Sequence, residues 1–204
     1  MATFGNLLLI LIGALLFGAL FLVFYFISIY NGLVRRRNEY KNSFEQIDIQ
    51  LKRRHDLIPN LVETAKGFLS HEKDTLEAVI AARSGAVTAN QNMAGNLNNK
   101  EGMAEVMKAE AGLSGALGRL MMLNERYPEL KSDKTMNSLM EEIQSTENRI
   151  AFSRQHYNDV VTNYNSEREV FPNVFIAQMF NFTEAMLWEI TNKEERENVK
   201  VSFE

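Results

Sequence analysis

An uncharged apolar stretch near the start of the chain constrains its fold more than any other feature. Residues 7–29, LLLILIGALLFGALFLVFYFISI, contain no charged side chain. As a helix this stretch is about 35 Å long, which is enough to cross a hydrocarbon core of about 30 Å. The sequence therefore predicts a short extracytoplasmic segment over residues 1–6 and a transmembrane anchor over residues 7–30. Representative positions of the predicted anchor are Leu7, Leu16, Phe21, Phe26 and Ile29.

A cleaved secretory signal is the first alternative for this stretch. Such signals have a basic segment before a shorter apolar core and a small-residue cleavage site. Residues 1–6 carry no Lys or Arg, and the stretch ends in Ser28-Ile29-Tyr30. The pattern therefore favours an uncleaved anchor. The second alternative is a buried helix of a soluble protein, which would have to hide an apolar surface on every side.

Basic residues flank the stretch on one side only, and they predict its orientation. Lys and Arg close to a membrane span stay on the cytoplasmic side. The predicted topology is therefore a single-pass protein of the inner membrane, with the N-terminus outside and the following domain cytoplasmic. The same side chains form a basic collar that attracts anionic headgroups. The collar consists of Arg35, Arg36, Arg37 and Lys41.

The residues after the anchor are enough for one domain with a single hydrophobic core. The chain has no cysteine, which excludes disulfides and thiolate chemistry. The formal net charge is −4, yet residues 31–54 carry seven basic side chains against three acidic ones. A basic end that faces a membrane fits this polarity, which argues against nucleic acid as a partner.

Apolar residues recur at helical spacing throughout residues 31–172. Short connections near Ser70 and Pro128 imply that consecutive helices run in opposite directions. The predicted fold is therefore all-α, an N-terminal transmembrane helix followed by an antiparallel up-and-down bundle of four long helices. Pro59 lies inside the first of these and predicts a kink or a break over residues 55–58.

Glycine and asparagine mark two further features of the bundle. Residues 88–102, TANQNMAGNLNNKEG, are typical of a loop or a frayed helix end between the second and third helices. Gly112, Gly115 and Gly118 lie inside the third helix, where each costs about 1 kcal/mol relative to Ala. Because they share roughly one face, we expect a neighbouring helix to approach closely there.

The C-terminal segment, residues 173–204, is too apolar for a free tail. One interpretation is that it caps one end of the bundle. The other is that it forms an exposed contact surface for another subunit or for the membrane interface. The residues expected to carry either contact are Phe175, Phe180, Phe182 and Trp188.

Motifs that carry chemistry are missing from the sequence. HExxH and Glu-x-x-His pairs for metals are absent, and so are a P-loop, GxGxxG and GxSxG. We therefore predict no catalytic residue, no metal and no cofactor.

Ionisable residues interrupt the apolar stripe of each helix. Such positions are Arg54 or His55, Arg83, Glu110 and Glu147. A single buried charge is costly, whereas a hydrogen-bonded set of opposite charges is tolerated and can fix helix register. We therefore predict a polar layer that joins Arg54 or Arg83 to Glu147 or Glu110. The alternative is that these side chains lie at the edges of the stripes and reach water.

Longer motifs give the chain a family resemblance. They are residues 46–64, QIDIQLKRRHDLIPNLVET, followed by YPELK at 127–131 and TENRIA at 146–151. With these motifs the chain resembles the LemA family of bacterial single-pass membrane proteins. The resemblance implies a helical bundle behind an N-terminal anchor and no established enzyme activity. Polar residues in the matching motifs are candidates for function: Asp48, Arg53, Arg54, Asp56, Asn60, Glu63, Glu147, Asn148 and Arg149.

Two classes of function remain. The favoured one is a membrane-anchored scaffold that forms a homo-oligomer or binds another membrane-associated protein, and that organises the bilayer. The alternative is an enzyme or regulatory subunit with Asp48, Asp56 and Glu147 in one cleft, where at least one carboxyl pKa would be raised. A receptor for an outside ligand is disfavoured because the predicted outer segment, residues 1–6, is short.

Overall fold

The computed structural model describes residues 2–69, 71–93 and 95–189. The side chains of residues 2–5, 7 and 8 also lie outside the description, and with them that of the predicted anchor position Leu7. The described residues form helices and no strand, which confirms the all-α prediction. The helices are α1 Ala2–Lys66, α2 Lys73–Met93, α3 Lys100–Arg126, α4 Pro128–Ser132, α5 Lys134–Glu169 and α6 Asn173–Met179.

Helix α1 contains both the apolar stretch and the first helix of the bundle. Among the described residues it is the helix that is long and apolar enough to cross a membrane. Leu16 and Phe21 are exposed, whereas Phe26 and Ile29 are half-buried where the bundle begins. Because α1 is uninterrupted from Ala2 to Lys66, the anchor and the bundle share one helical axis.

Pro59 lies inside α1 without ending it, so of the kink or break predicted over residues 55–58, the break is wrong. Proline lacks the backbone N–H that would bond to the carbonyl four residues earlier, which here belongs to His55. Nε of Arg83 donates to this carbonyl at 2.6 Å from the neighbouring helix α2. A side chain therefore replaces the missing backbone donor, and the helix continues.

The bundle consists of the second half of α1 together with α2, α3 and α5. Side-chain contacts give the directions of the helices. Contacts of Tyr40 with Tyr164, and of Arg54 with Glu147, show that α5 runs antiparallel to α1. Contacts of Glu72 with Tyr127, and of Asn90 with Glu110, show the same for α2 and α3. This arrangement agrees with the predicted four-helix bundle, to which α4 and α6 add short connecting and terminal turns.

The connection between α2 and α3 is shorter than the predicted loop over residues 88–102. The second helix continues to Met93, because Ala89 and Met93 are buried and extend its apolar stripe by another turn. Helix α3 begins at Lys100, where the side chain of Asn99 accepts a hydrogen bond from Gly102 N at 3.0 Å. One of the asparagines of this region is therefore the N-cap of α3.

The expected close approach at Gly112, Gly115 and Gly118 is wrong. A Cβ atom added at any of the three would have no other atom within 4 Å. The buried stripe of α3 instead runs along another face, through Leu113, Ala116, Leu117 and Leu120. The glycines therefore line the outside of the bundle, and helix packing does not explain them.

Candidate functional site

A set of polar side chains separates two apolar clusters in the bundle core. On α1, Leu51 belongs to the cluster nearer the anchor and Ile58 to the distal cluster, with Arg54 and His55 between them. The same order recurs on α3 around Glu110 and on α5 around Glu147. We call this set the polar layer; it consists of Arg54, His55, Asn90, Glu110, Ser114 and Glu147.

Arg54 lies at the centre of the polar layer and is only 1% exposed. Its Nη2 donates to Glu110 on α3, and its Nη1 donates to Glu147 on α5. Nη1 also lies 2.8 Å from Oγ of Ser114. One guanidinium therefore connects three helices through a charge-assisted hydrogen bond to each of two carboxylates.

Glu110 is the most enclosed carboxylate of the layer, at 4% exposed. Its Oε1 accepts a hydrogen bond from Nδ2 of Asn90 at 2.8 Å and lies 3.0 Å from Nε2 of His55. Burial acts to raise the pKa of the Glu110 carboxyl, but its contacts with His55 and Arg54 outweigh burial and hold the pKa below its ordinary value. The carboxyl is therefore ionised at neutral pH, as its partners require.

The structure separates the predicted residues into an inner and an outer group. Arg54, Glu110 and Glu147 meet in the polar layer, whereas Arg83 binds the backbone of His55 beside it. The outer group faces solvent on α1 and α5. It consists of Asp48, Arg53, Asp56, Asn148 and Arg149, together with Asn60 and Glu63.

The three carboxylates of the enzyme alternative do not share one cleft. Asp48 and Asp56 line a cleft with Arg83 and Asn90 on one side of the bundle. Glu147 lines another cleft, of about 220 Å³, beside the polar layer. Among the described residues there is also no group of three or more His, Asp or Glu side chains that could hold a metal ion.

Arg154 belongs to the Glu147 cleft, and sequence reasoning missed it. Burial and the neighbouring charge of Arg54 lower the pKa of its guanidinium. The guanidinium lies over the ring of Trp188, 5.5 Å from the ring centroid. The available signal was its position seven residues after Glu147, which places both on one side of α5.

A repeated Tyr-Asn pair on α5 was also missed, and it holds the C-terminal segment. The Asn158 amide accepts from Trp188 N at 2.7 Å and donates to Trp188 O at 3.1 Å. Seven residues later, Asn165 makes the same two bonds with Ala185. Hydroxyl groups of Tyr157 and Tyr164 donate to backbone carbonyls of the same segment. The heptad spacing of the two pairs was the signal in the sequence.

The C-terminal segment packs against the bundle through some of its aromatic residues and exposes others. Phe182 and Trp188 are buried in the cluster nearer the anchor, where Trp188 packs against Phe44. Phe175 and Phe180 remain exposed on the other side. Within residues 173–189 the segment therefore covers the core and also presents an apolar surface; residues 190–204 lie outside the described part.

The basic collar lies where α1 leaves the apolar stretch. Arg35 and Lys41 are exposed, and Arg36 pairs with Glu39 at 3.4 Å. Arg37 instead lies over the ring of Phe182, 4.9 Å from its centroid. The collar therefore offers cationic groups to the outside and also fastens the C-terminal segment to α1.

The chemistry of the polar layer is that of a joint between helices. A carboxylate whose pKa is lowered is a weak base near neutral pH. The charges of Arg54 and Glu110 are balanced by groups of the chain itself. These contacts hold α1, α3 and α5 in one register.

Comparison with known proteins identifies the family. Magnetosome protein MamQ 2 of Paramagnetospirillum magneticum is 28% identical over 171 residues, which cover 76% of this chain and 63% of that protein. Magnetosome protein MamQ of Magnetospirillum gryphiswaldense is 27% identical over 168 residues, covering 75% and 62%. Protein LemA of Metamycoplasma hominis is 25% identical over 175 residues, covering 84% and 75%. The chain thus spans less than two thirds of the magnetosome relatives. Because the LemA family model matches residues 43–203, this chain belongs to the LemA family.

Proposed function

We propose that this protein is a membrane-anchored scaffold without catalytic activity, which binds copies of itself or another membrane-associated protein and organises the membrane. The observation that carries the proposal is the continuity of α1 from the anchor into the bundle. A domain on such a helix cannot turn freely against its anchor. Helix α5, with 36 residues, is about 54 Å long. The bundle is therefore an elongated, rigid domain that extends from the membrane, and we propose that it lies on the cytoplasmic side.

The polar layer supports a structural role for the bundle interior. Its charges bind one another across three helices, and the carboxylate of Glu110 is poorly suited to proton transfer. A scaffold needs helices of fixed register, because the side chains on the outer faces of the bundle then keep constant positions relative to one another. The similarity to two magnetosome proteins and to protein LemA supports a membrane-associated role.

The outer faces of α1 and α5 are the proposed contact surface. Ile49 and Phe152 are 61% and 72% exposed. Each lies two residues from a buried position, which turns it about 200° around the helix, away from the core. Two contacts join α1 to α5 on either side of this level, Phe44 with Tyr157 and Arg54 with Glu147. Ile49 lies midway between the two contacts on α1, and Phe152 lies midway between them on α5. The two side chains are therefore at the same level on neighbouring antiparallel helices.

Light scattering of the full chain in detergent tests self-association. We expect a defined oligomer whose mass does not change over a tenfold dilution. The double variant Ile49→Lys/Phe152→Lys should dissociate it, whereas Met122→Lys, an equally exposed change on α3, should not. A protein that is monomeric at every concentration, and that captures no membrane protein after cross-linking in membranes, contradicts the proposal.

A further inference from the structure

The corner between α5 and α6 presents apolar side chains to the outside of the bundle. Phe171 and Phe175 are 80% and 61% exposed, and their rings meet edge to face with centroids 5.9 Å apart. Val170, Met179 and Phe180 are also exposed. We call these five residues the aromatic corner. Exposed apolar patches of this kind mark a contact with a partner or a membrane.

The position of the aromatic corner indicates what covers it. Phe180 packs against Tyr30 and Phe26, with ring centroids 4.8 and 5.9 Å apart. Phe26 belongs to the apolar stretch of α1, and Tyr30 follows that stretch directly. Since the apolar part of α1 is itself exposed, the aromatic corner continues the apolar surface of the proposed anchor.

Charges beside the aromatic corner fit the headgroup region of a bilayer. Arg35 and Arg36 lie about 8 to 9 Å beyond Tyr30 along α1. Together with Glu39 and Glu167 they line one cleft. Glu39 pairs with Arg36, and Glu167 accepts hydrogen bonds from Asn173. Arg35 is exposed beyond the aromatic rings, where headgroup phosphates would lie.

We propose that the aromatic corner inserts into the interface of the phospholipid bilayer that surrounds the anchor. The protein then contacts the membrane through two neighbouring elements, the α1 span and the aromatic corner. Phe180 connects the two, because it belongs to the corner and packs against α1. Apolar side chains such as Phe enter the boundary between headgroups and acyl chains, where Phe171 and Phe175 would lie. A second attachment point fixes the tilt and the rotation of the bundle relative to the membrane. This inference rests on the proposed anchor and is independent of self-association.

Quenching of tryptophan by brominated lipid tests the insertion. The single tryptophan of the natural chain, Trp188, is buried in the bundle and supplies the background signal. The full chain is placed at one copy per nanodisc, with lipids brominated in the upper part of the acyl chain. We expect the fluorescence added by Phe175→Trp to fall by at least half relative to unbrominated lipid. The matched control Met122→Trp, exposed on α3 in the distal half, should lose less than a tenth.

A second control separates failure of the corner from failure of the anchor. Phe21→Trp, in the middle of the apolar stretch, should be quenched as strongly as Phe175→Trp. Quenching of Phe21→Trp without quenching of Phe175→Trp overturns the inference and leaves the anchor intact. Absence of quenching at both positions overturns the anchor and the inference together. A Phe175→Trp emission that shifts to the blue only with several copies per disc, without quenching, shows that a second copy covers the corner and also overturns it.

Discussion

Replacement of Arg54 by methionine tests the polar layer most directly. Methionine keeps most of the length and the apolar stem of arginine, but it removes both ion pairs at once. Breaking a buried pair by removing one partner costs about 3 to 5 kcal/mol, because the other charge stays buried. Glu110 keeps Asn90 and His55 as partners, and Glu147 is partly open to water. We therefore expect the lower end of the range, about 3 kcal/mol.

Thermal unfolding of the full chain in detergent measures this loss. Fluorescence of Trp188 follows the bundle and not the anchor, because its ring is buried among α1, α5 and the C-terminal segment. For a chain of 204 residues, about 3 kcal/mol corresponds to a Tm decrease of about 6 to 12 °C. Arg53→Met makes the same chemical change one residue earlier, on the exposed face, and should stay within about 0.5 kcal/mol of the natural protein.

A double-mutant cycle of Arg54 and Glu110 decides whether the two side chains stabilise the bundle as a pair. Glu110→Gln removes the charge that Arg54→Met would leave unpaired, so the double variant should lose less than the sum of the two single losses. A coupling of about 1 to 3 kcal/mol is expected for groups in one network. Additive losses, or an Arg54→Met protein as stable as Arg53→Met, would show that the layer contributes no net pairing energy and would refute the reasoning.

Three further predictions concern single elements of the bundle. Arg83→Met should lower the free energy of unfolding by about 1 to 3 kcal/mol, because it leaves the buried carbonyl of His55 unpaired. The loss should be smaller in a Pro59→Ala background, where a backbone N–H is restored. Chemical unfolding of the natural protein, the two single variants and the double variant measures both effects. Gly115→Ala should raise the free energy of unfolding by about 0.5 to 1 kcal/mol, since its Cβ meets open space; a loss of stability would reveal an unseen contact. Because the folded-state pKa of Glu110 lies below its ordinary value of 4.5, its stabilisation is complete above about pH 4.5 and decreases as the pH falls through the folded-state pKa. Glu110→Gln should therefore show a shallower loss of Tm on acidification, and parallel curves would contradict the assignment.

The anchor and the helices of the bundle could be predicted from the sequence because they depend on local patterns. A long uncharged stretch and a helical period of apolar residues are visible without knowledge of neighbours. Helix ends were less predictable. The polar run after Val87 conceals Ala89 and Met93, whose burial depends on the opposing helix α3.

Partners across the bundle could be predicted in type but not in identity. Arg54 and Arg83 each interrupt the apolar stripe of a helix, so the sequence pattern gives them the same expected role. Only the structure shows that they have different partners. Arg54 reaches two carboxylates, whereas Arg83 is used by the carbonyl that Pro59 leaves without a donor. The glycines of α3 could not be interpreted from the sequence for a similar reason. Their spacing indicates that they share a face of the helix, but it does not reveal whether another helix packs against that face.

Three separate devices fix elements of the chain relative to one another. Continuity of α1 past Pro59 depends on Arg83, and the register of α1 against α5 depends on Arg54. The Tyr-Asn pairs on α5 hold the C-terminal segment, whose Phe182 in turn contacts Tyr30 at the membrane exit. Since each device acts on a different pair of elements, loss of one should loosen the bundle locally before it unfolds.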